Sequence, residues 1–262
     1  MTAFPPAFLI DLDGTVYNSS GAIPGALEAV ASLRRRGIPF RFVSNTSGKP
    51  RSHVLERLRG YGIPVAPHEL INPVIAGASL MRGMGVRRVA PFVRQVTHED
   101  LQEFELVGGT SGRPGGTPDA VLVGDMGDDW SHALLNEAFR YLLDGLPLIA
   151  LERDRYWLGP TGLELDAGPY VVALEYASGV QSTVCGKPTR TFYEAALSSM
   201  GLSLDAADRP AMVGDDVWSD VDGAQKAGLQ GWLVKTGKYL PDVLEKTGVK
   251  PDRIIDSIAA LA

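Results

Sequence analysis

Ala7-Phe8-Leu9-Ile10-Asp11-Leu12-Asp13-Gly14-Thr15 is the stretch that decides the fold class of this chain. It opens with an apolar run that does not alternate and stops abruptly at a carboxylate. The short length and missing two-residue period predict a strand buried on both faces, as in a parallel sheet. A helix is expected next: Pro24 suits its first turn, Leu27, Val30, Ala31 and Leu33 make an apolar stripe, and Gly37 closes it. Residues 39–43 read as a second strand that ends in Ser44-Asn45-Thr46-Ser47, and a helix over 52–59 stops at Gly60. Strand and helix in alternation predict an α/β fold built on a parallel sheet.

The middle of the chain breaks the pattern and then repeats it. Gly108-Gly109-Thr110-Ser111-Gly112-Arg113-Pro114-Gly115-Gly116 is a turn-rich loop. Residues 120–123 restart a strand, Leu134, Leu135, Ala138, Phe139, Leu142 and Leu143 follow at helical spacing, and 148–151 read as another strand. The expected organisation is therefore a Rossmann-like parallel-sheet core over 1–79 and 181–262, with an α/β unit inserted over 80–180. In the second half of that core the expected order is Thr183-Val184-Cys185 as a strand, a helix over 191–200, a strand over 211–213 and a helix over 220–227.

Composition removes several function classes. Of 262 residues, 25 are Lys or Arg and 31 are Asp or Glu, a net charge of −6. That balance argues against non-specific binding to nucleic acid or to an anionic membrane, and neither is expected as a partner. The single cysteine, Cys185, excludes an intrachain disulfide and a Cys-rich zinc site, and points to a reducing, cytoplasmic compartment. No apolar run is long enough for a spanning helix, and the apolar stretch at 7–10 lacks the basic flank of a signal peptide.

Ligands of open parallel sheets bind beyond the carboxyl ends of the strands. The polar residues there are Asp11 and Asp13, Ser44 and Asn45, Lys187, and Asp215 with Asp216 and Asp220. Carboxylates brought that close cannot all stay ionised without a cation. Magnesium suits one or two carboxylates together with waters and a phosphate oxygen, and a lysine beside it offsets the charge of an anionic substrate. These residue types point to phosphoryl transfer.

The same residues carry a family resemblance over nearly the whole chain. Asp11-Leu12-Asp13-Gly14-Thr15-Val16-Tyr17 resembles the first motif of the haloacid dehalogenase-like (HAD) hydrolases. Ser44-Asn45 resembles the second, Gly186-Lys187-Pro188 the third, and Gly214-Asp215-Asp216-Val217-Trp218-Ser219-Asp220 the fourth. The long interval between the second and third motifs matches subfamily IIA, whose members carry a large α/β (C2-type) cap there. Within it, Gly168-Pro169-Tyr170 and Ala173-Leu174-Glu175-Tyr176-Ala177 are most similar to the phospholysine phosphohistidine inorganic pyrophosphate phosphatases and their relatives.

The resemblance implies a HAD-like core with a specificity-setting cap, and a magnesium-dependent phosphatase of small phosphorylated substrates. Asp11 would be the nucleophile and Asp13 the general acid and base. Magnesium would be held by Asp11, Asp13 and Asp215. The phosphoryl group would meet Asp11, Leu12, Asp13, Ser44, Asn45 and Lys187, while Asp216 and Asp220 orient the metal's surroundings. A homodimer held through the cap is one implied assembly. Asp13 argues against a dehalogenase, which needs no second aspartate. A phosphomutase or phosphotransferase would keep the same motifs, and so would a phospho-ligand-binding protein without turnover.

One motif is a decoy. Val121-Leu122-Val123-Gly124-Asp125 also ends an apolar run in Gly-Asp, but it precedes Lys187 and falls in the insertion. A cap strand is expected there, with Asp129 or Ser131 capping the next helix. The four histidines, His53, His68, His98 and His132, show no metal-binding spacing, and Cys185 reads as a buried structural thiol.

Overall fold

The computed structural model describes residues 4–113, 116–159, 162–205 and 207–262. Pro114 and Gly115 of the glycine-rich loop lie outside the described residues. The chain forms two compact units, one of Met1–Ser44, Ser52–Ile71 and Lys187–Ala262, the other of Asn45–Arg51 and Asn72–Gly186.

The first unit is built on six parallel strands in the order Arg253–Ile255, Gln230–Val234, Ala211–Gly214, Phe8–Asp11, Phe40–Val43, Leu70–Ile71. Phe8–Asp11 is buried at every residue because it has a parallel neighbour on each side and apolar layers on both faces. Phe8, Ile10, Phe42, Val213 and Trp232 meet Leu33, Ile258 and Leu261 in one core. The chain leaves the central strand for Phe40–Val43 and Leu70–Ile71 on one side, and later fills the other side. The order thus reverses at Asp11, and such a switch point opens a crevice at the strand's carboxyl end.

The helix that follows the first strand runs Ala26–Arg35 and buries Ala26, Ala29, Val30 and Leu33. Val30 and Leu33 are buried as expected, but Leu27 is 43% exposed, and Pro24 lies before the helix. Gly25 takes the capping position at φ 85° and packs against Ala259, where a Cβ would collide.

The second unit has its own parallel sheet, ordered Ser182–Val184, Leu148–Ala150, Ala120–Val123, Arg88–Phe92, Glu105–Leu106. The helices His132–Leu143 and Ala167–Ser178 bury Ala138, Leu142, Val171 and Leu174 in a core with Phe92, Val121 and Val123. Ser131 caps the first of these helices by accepting the Leu134 N–H at 3.2 Å.

The boundaries differ from those expected. The units divide at 71/72 and 186/187, not at 79/80 and 180/181. Helix Pro73–Gly83 would be cut by the earlier boundary; it belongs whole to the second unit, capped by Asn72 Oδ1 on the Ile75 N–H at 3.0 Å. The strand expected at Thr183-Val184-Cys185 to resume the first sheet instead covers Ser182–Val184 and pairs with Leu148–Ala150. A short apolar run shows that a strand exists but not which sheet receives it. Among the described residues, no helix is long and apolar enough to cross a membrane.

Candidate active site

The residue ending the central strand, Asp11, meets Lys187, which begins the last segment of the first unit. Lys187 Nζ donates to Asp11 Oδ1 at 2.5 Å and to Asp220 Oδ1 at 2.8 Å. These side chains are 4%, 10% and 0% exposed, respectively. An ammonium so deeply buried is tolerable only because two carboxylates face it. Burial works against the Lys187 charge, but Asp11 and Asp220 outweigh it and hold the group above its ordinary range. Burial also pushes the Asp11 carboxyl up, while Lys187 pulls it down and Asp220 adds to the rise.

Asp220 reaches this point through a π-helical turn, Val217–Asp222. Asp216 opens that turn by accepting the N–H groups of Trp218 and Ser219 at 2.9 and 3.1 Å. Its own N–H donates to Asp220 Oδ2 at 3.1 Å. Gly214 lies against the Asp220 carboxylate, and any Cβ there would strike it.

Asp215 follows the neighbouring strand and is 4% exposed. Its carboxylate is wedged between Gly14 and Gly237, at φ 79° and 77°, and accepts the Lys238 N–H at 2.7 Å. A side chain at either glycine would both strain the left-handed backbone and occupy the carboxylate's space. Burial raises the Asp215 carboxyl to about 6, opposed by that N–H and aided by Asp220.

Carboxylate oxygens of Asp11, Asp215 and Asp220 lie within 4.8 Å of one another. Three carboxylates against one ammonium leave an excess of negative charge in a buried place. All donors are hard oxygens, so the set fits magnesium, which would neutralise that excess. A cleft of about 130 Å³ adjoins Asp215 and Asp216, lined also by Trp218, Lys238, Leu240 and Val243.

The other expected residues lie outside this buried set. Asp13 is outside the buried trio: its side chain is 63% exposed and lies 3.7 Å from Arg57 Nη1, whose guanidinium sits 4.0 Å over the Tyr17 ring. The Leu12 side chain is buried, and its carbonyl accepts from Thr15, Val16 and Tyr17 in the tight turn after the strand. Ser44 is buried at the end of Phe40–Val43, its N–H donating to the Ile71 carbonyl at 3.1 Å. Asn45 falls in the second unit, its Oδ1 3.3 Å from where a Gly186 Cβ would stand. Asp216 faces Lys238, Nζ to Oδ2 2.8 Å; burial would raise its carboxyl, but this ammonium outweighs it and keeps the group below its usual range.

Cys185 is buried, and burial pushes its thiol up to about 12, so no thiolate nucleophile is available there. Gly237 and Lys238 were not singled out in the sequence. They stand just beyond Gln230–Val234, and the strand-end rule extended by one strand would have found them.

A parallel α/β sheet with buried carboxylates and a lysine gathered at its strand ends suits a hydrolase. The chain belongs to the haloacid dehalogenase-like hydrolases and is an enzyme of their phosphatase type. The haloacid dehalogenase-like hydrolase model matches residues 8–107, and the HAD-hydrolase-like model matches residues 184–261. Human haloacid dehalogenase-like hydrolase domain-containing protein 2 is 39% identical over 245 residues, covering 94% of this chain and 90% of that protein. The phospholysine phosphohistidine inorganic pyrophosphate phosphatase of Xenopus laevis is 36% identical over 261 residues, covering 97% and 92%. Among solved structures, p-nitrophenyl phosphatase from Archaeoglobus fulgidus superposes with a TM-score of 0.83 at 28% identity, covering 98% of each chain.

Proposed function

We propose that this chain is a magnesium-dependent phosphatase that hydrolyses a small phosphomonoester, phosphoramidate or pyrophosphate through an aspartyl-phosphate on Asp11. The observation that carries the reading is the buried set at the switch point: Lys187 bonded to Asp11 and Asp220, with Asp215 within 4.8 Å. An Asp11 oxygen attacks phosphorus and the bond to the leaving group breaks, giving the aspartyl-phosphate. Asp13 gives a proton to the departing oxygen or nitrogen. As a carboxylate it then takes a proton from the water that attacks phosphorus, which frees inorganic phosphate and restores Asp11.

Lys187, Ser44, Asn45 and the Leu12 backbone bind the non-bridging phosphoryl oxygens, where charge gathers in the transition state. Asp11, Asp215 and the Asp13 carbonyl would hold magnesium, and Asp216 and Asp220 would orient its surroundings. Bound there, the ion supplies positive charge that lets one anion approach another. The second unit serves as the cap that selects the leaving group, and the buried, reduced Cys185 suits a cytoplasmic enzyme. Names of phosphatase relatives support the reaction class and leave the natural substrate among the three phosphoryl bonds above.

Phosphate release from p-nitrophenyl phosphate with and without magnesium tests the reading. Activity should require the ion, and Asp11→Asn should lower turnover by roughly 10³-fold or more, as loss of other covalent nucleophiles does. Retention of more than about a tenth of the activity by Asp11→Asn would remove it as nucleophile.

A further inference from the structure

Helix Arg51–Gly60 brings a cation to the turn that carries Asp13. The turn is tightly bonded: the Gly14 N–H donates to the Tyr17 carbonyl at 2.7 Å, and the Leu12 carbonyl accepts from Thr15, Val16 and Tyr17. Tyr17 is thereby folded back beside Asp13, and its ring is buried. The Arg57 guanidinium lies over that ring at 4.0 Å. Its Nε donates to the Tyr61 hydroxyl and its Nη2 to the Asn18 carbonyl, each at 3.4 Å, and Nη1 is 3.7 Å from Asp13 Oδ1. The Tyr17 and Tyr61 rings stand together, with centroids 5.7 Å apart. Every one of Asp13, Tyr17, Asn18, Arg57 and Tyr61 belongs to the first unit.

The ion pair by itself is weak. The Arg57 side chain is 36% exposed and that of Asp13 63%, and so wet a pair stabilises the fold little. The cation, however, is firmly held. A long arginine side chain samples many rotamers when free, and here a ring face and two hydrogen bonds restrict it before Asp13 is counted. Among the described residues it is the cation paired with Asp13. An ion pair orients a carboxylate, so this one serves the half of the reaction in which Asp13 is a carboxylate, the attack of water on the aspartyl-phosphate.

We propose that Arg57 is a positioning residue for Asp13 as general base: fixed by Tyr17, Tyr61 and the Asn18 carbonyl, it aims the carboxylate at the water that releases phosphate. Asp13 takes a proton from that water as its oxygen bonds to phosphorus and the bond from phosphorus to Asp11 breaks. This rests on the reading of Asp13 as the group that takes the proton.

The test uses the full chain with magnesium and p-nitrophenyl phosphate. Rapid quenching reads two steps separately: formation of the phosphoenzyme and its decay after the substrate is exhausted. Arg57→Met removes the charge and keeps an apolar side chain that packs on Tyr17. Its phosphoenzyme should decay about 3- to 5-fold more slowly, the range set by an exposed ion pair. Formation should stay within about twofold, because p-nitrophenolate leaves without needing a proton. Arg57→Gln, which keeps a good helix former, should behave in the same way. In an Asp13→Asn background, Arg57→Met should change decay by less than about 1.5-fold, since the partner it aims is gone. Unchanged decay in both single variants overturns the proposal, as does equal slowing of both steps, which is the mark of a merely structural role. A full further loss in the Asp13→Asn background overturns it too, while leaving Asp13 as the base. If Asp13→Asn alone leaves decay unchanged, the reading of Asp13 falls and the role of Arg57 falls with it.

Discussion

Two strands of this chain end alike and do different things. Ala211–Gly214 is followed by Asp215, and Ala120–Val123 by Gly124 and Asp125; both strands are wholly buried and lie inside parallel sheets. Asp215 is held between the bare backbones of Gly14 and Gly237, among the carboxylates of Asp11 and Asp220. Asp125 turns back on its own loop, accepting the Gly127 N–H at 2.8 Å, and is neutralised by Arg94 at 3.3 Å. Asp215 has other carboxylates within metal-binding reach, while Asp125 has a guanidinium of its own. A Gly-Asp strand end is only an address; what the neighbouring strands bring to it decides whether a cation is needed.

Removing each carboxylate should break the symmetry most visibly. Asp215→Asn should raise the magnesium concentration for half-maximal activity by about tenfold or more, or abolish activity for every substrate. Asp125→Asn should leave that requirement within about twofold and at most change KM. Equal shifts in a magnesium titration would erase the distinction.

The glycines beside the two carboxylates give a smaller contrast. Gly14→Ala forces a side chain into a left-handed backbone, costing about 1 kcal/mol or more, and drives it into a fixed carboxylate. A lower melting temperature and weaker magnesium dependence are both expected. Gly48→Ala meets the tip of Asp125, a surface-side carboxylate that can shift with Arg94, and its backbone is not left-handed. Its melting point should move by no more than a degree or two. A Gly14→Ala variant as stable and as responsive to magnesium as wild type would contradict the wedge around Asp215.

The smallest effect is a pH dependence of stability. Burial first, and then Asp166, Asp125 and Asp154, raise the Glu152 carboxyl in the folded chain from 4.5 to about 8 against the pull of Ser47, so the folded state holds a proton that the unfolded state releases. Its contribution is full below about pH 4.5 and is lost as pH rises towards 8. Melting temperatures of wild type and Glu152→Gln should therefore diverge across that window, with the glutamine variant the more stable at pH 8. A difference independent of pH would mean that Glu152 is ionised throughout.

Much of the fold was legible because its signals are local. The runs at 7–10 and 120–123 are apolar without alternation, and each is a buried parallel strand. Asp11 and Asp215 could be picked out because they stand at the ends of strands of one sheet, whereas Lys187 was reached from a strand, Ser182–Val184, that belongs to the other sheet, and Asp220 arrives through a helical turn. Sheet membership was not legible: Ser182–Val184 carries nothing that selects its partner, and Leu148–Ala150 claims it only in three dimensions. The hydrogen bond from the Ser47 hydroxyl to Glu152 was hidden for the same reason, since neither residue has a local pattern marking the other. The start of the first helix was not legible either: Gly25, packed against Ala259 from the far end of the chain, stands at its cap.

The central claim is that Asp11 becomes phosphorylated. Acid quenching of the enzyme during turnover of p-nitrophenyl phosphate, followed by peptide mass spectrometry, reads this directly. The account predicts one added phosphoryl group on the peptide containing Asp11, increased in Asp13→Asn and absent in Asp11→Asn. Steady turnover with no phosphoryl group on that peptide, or with the label on another residue, would contradict it.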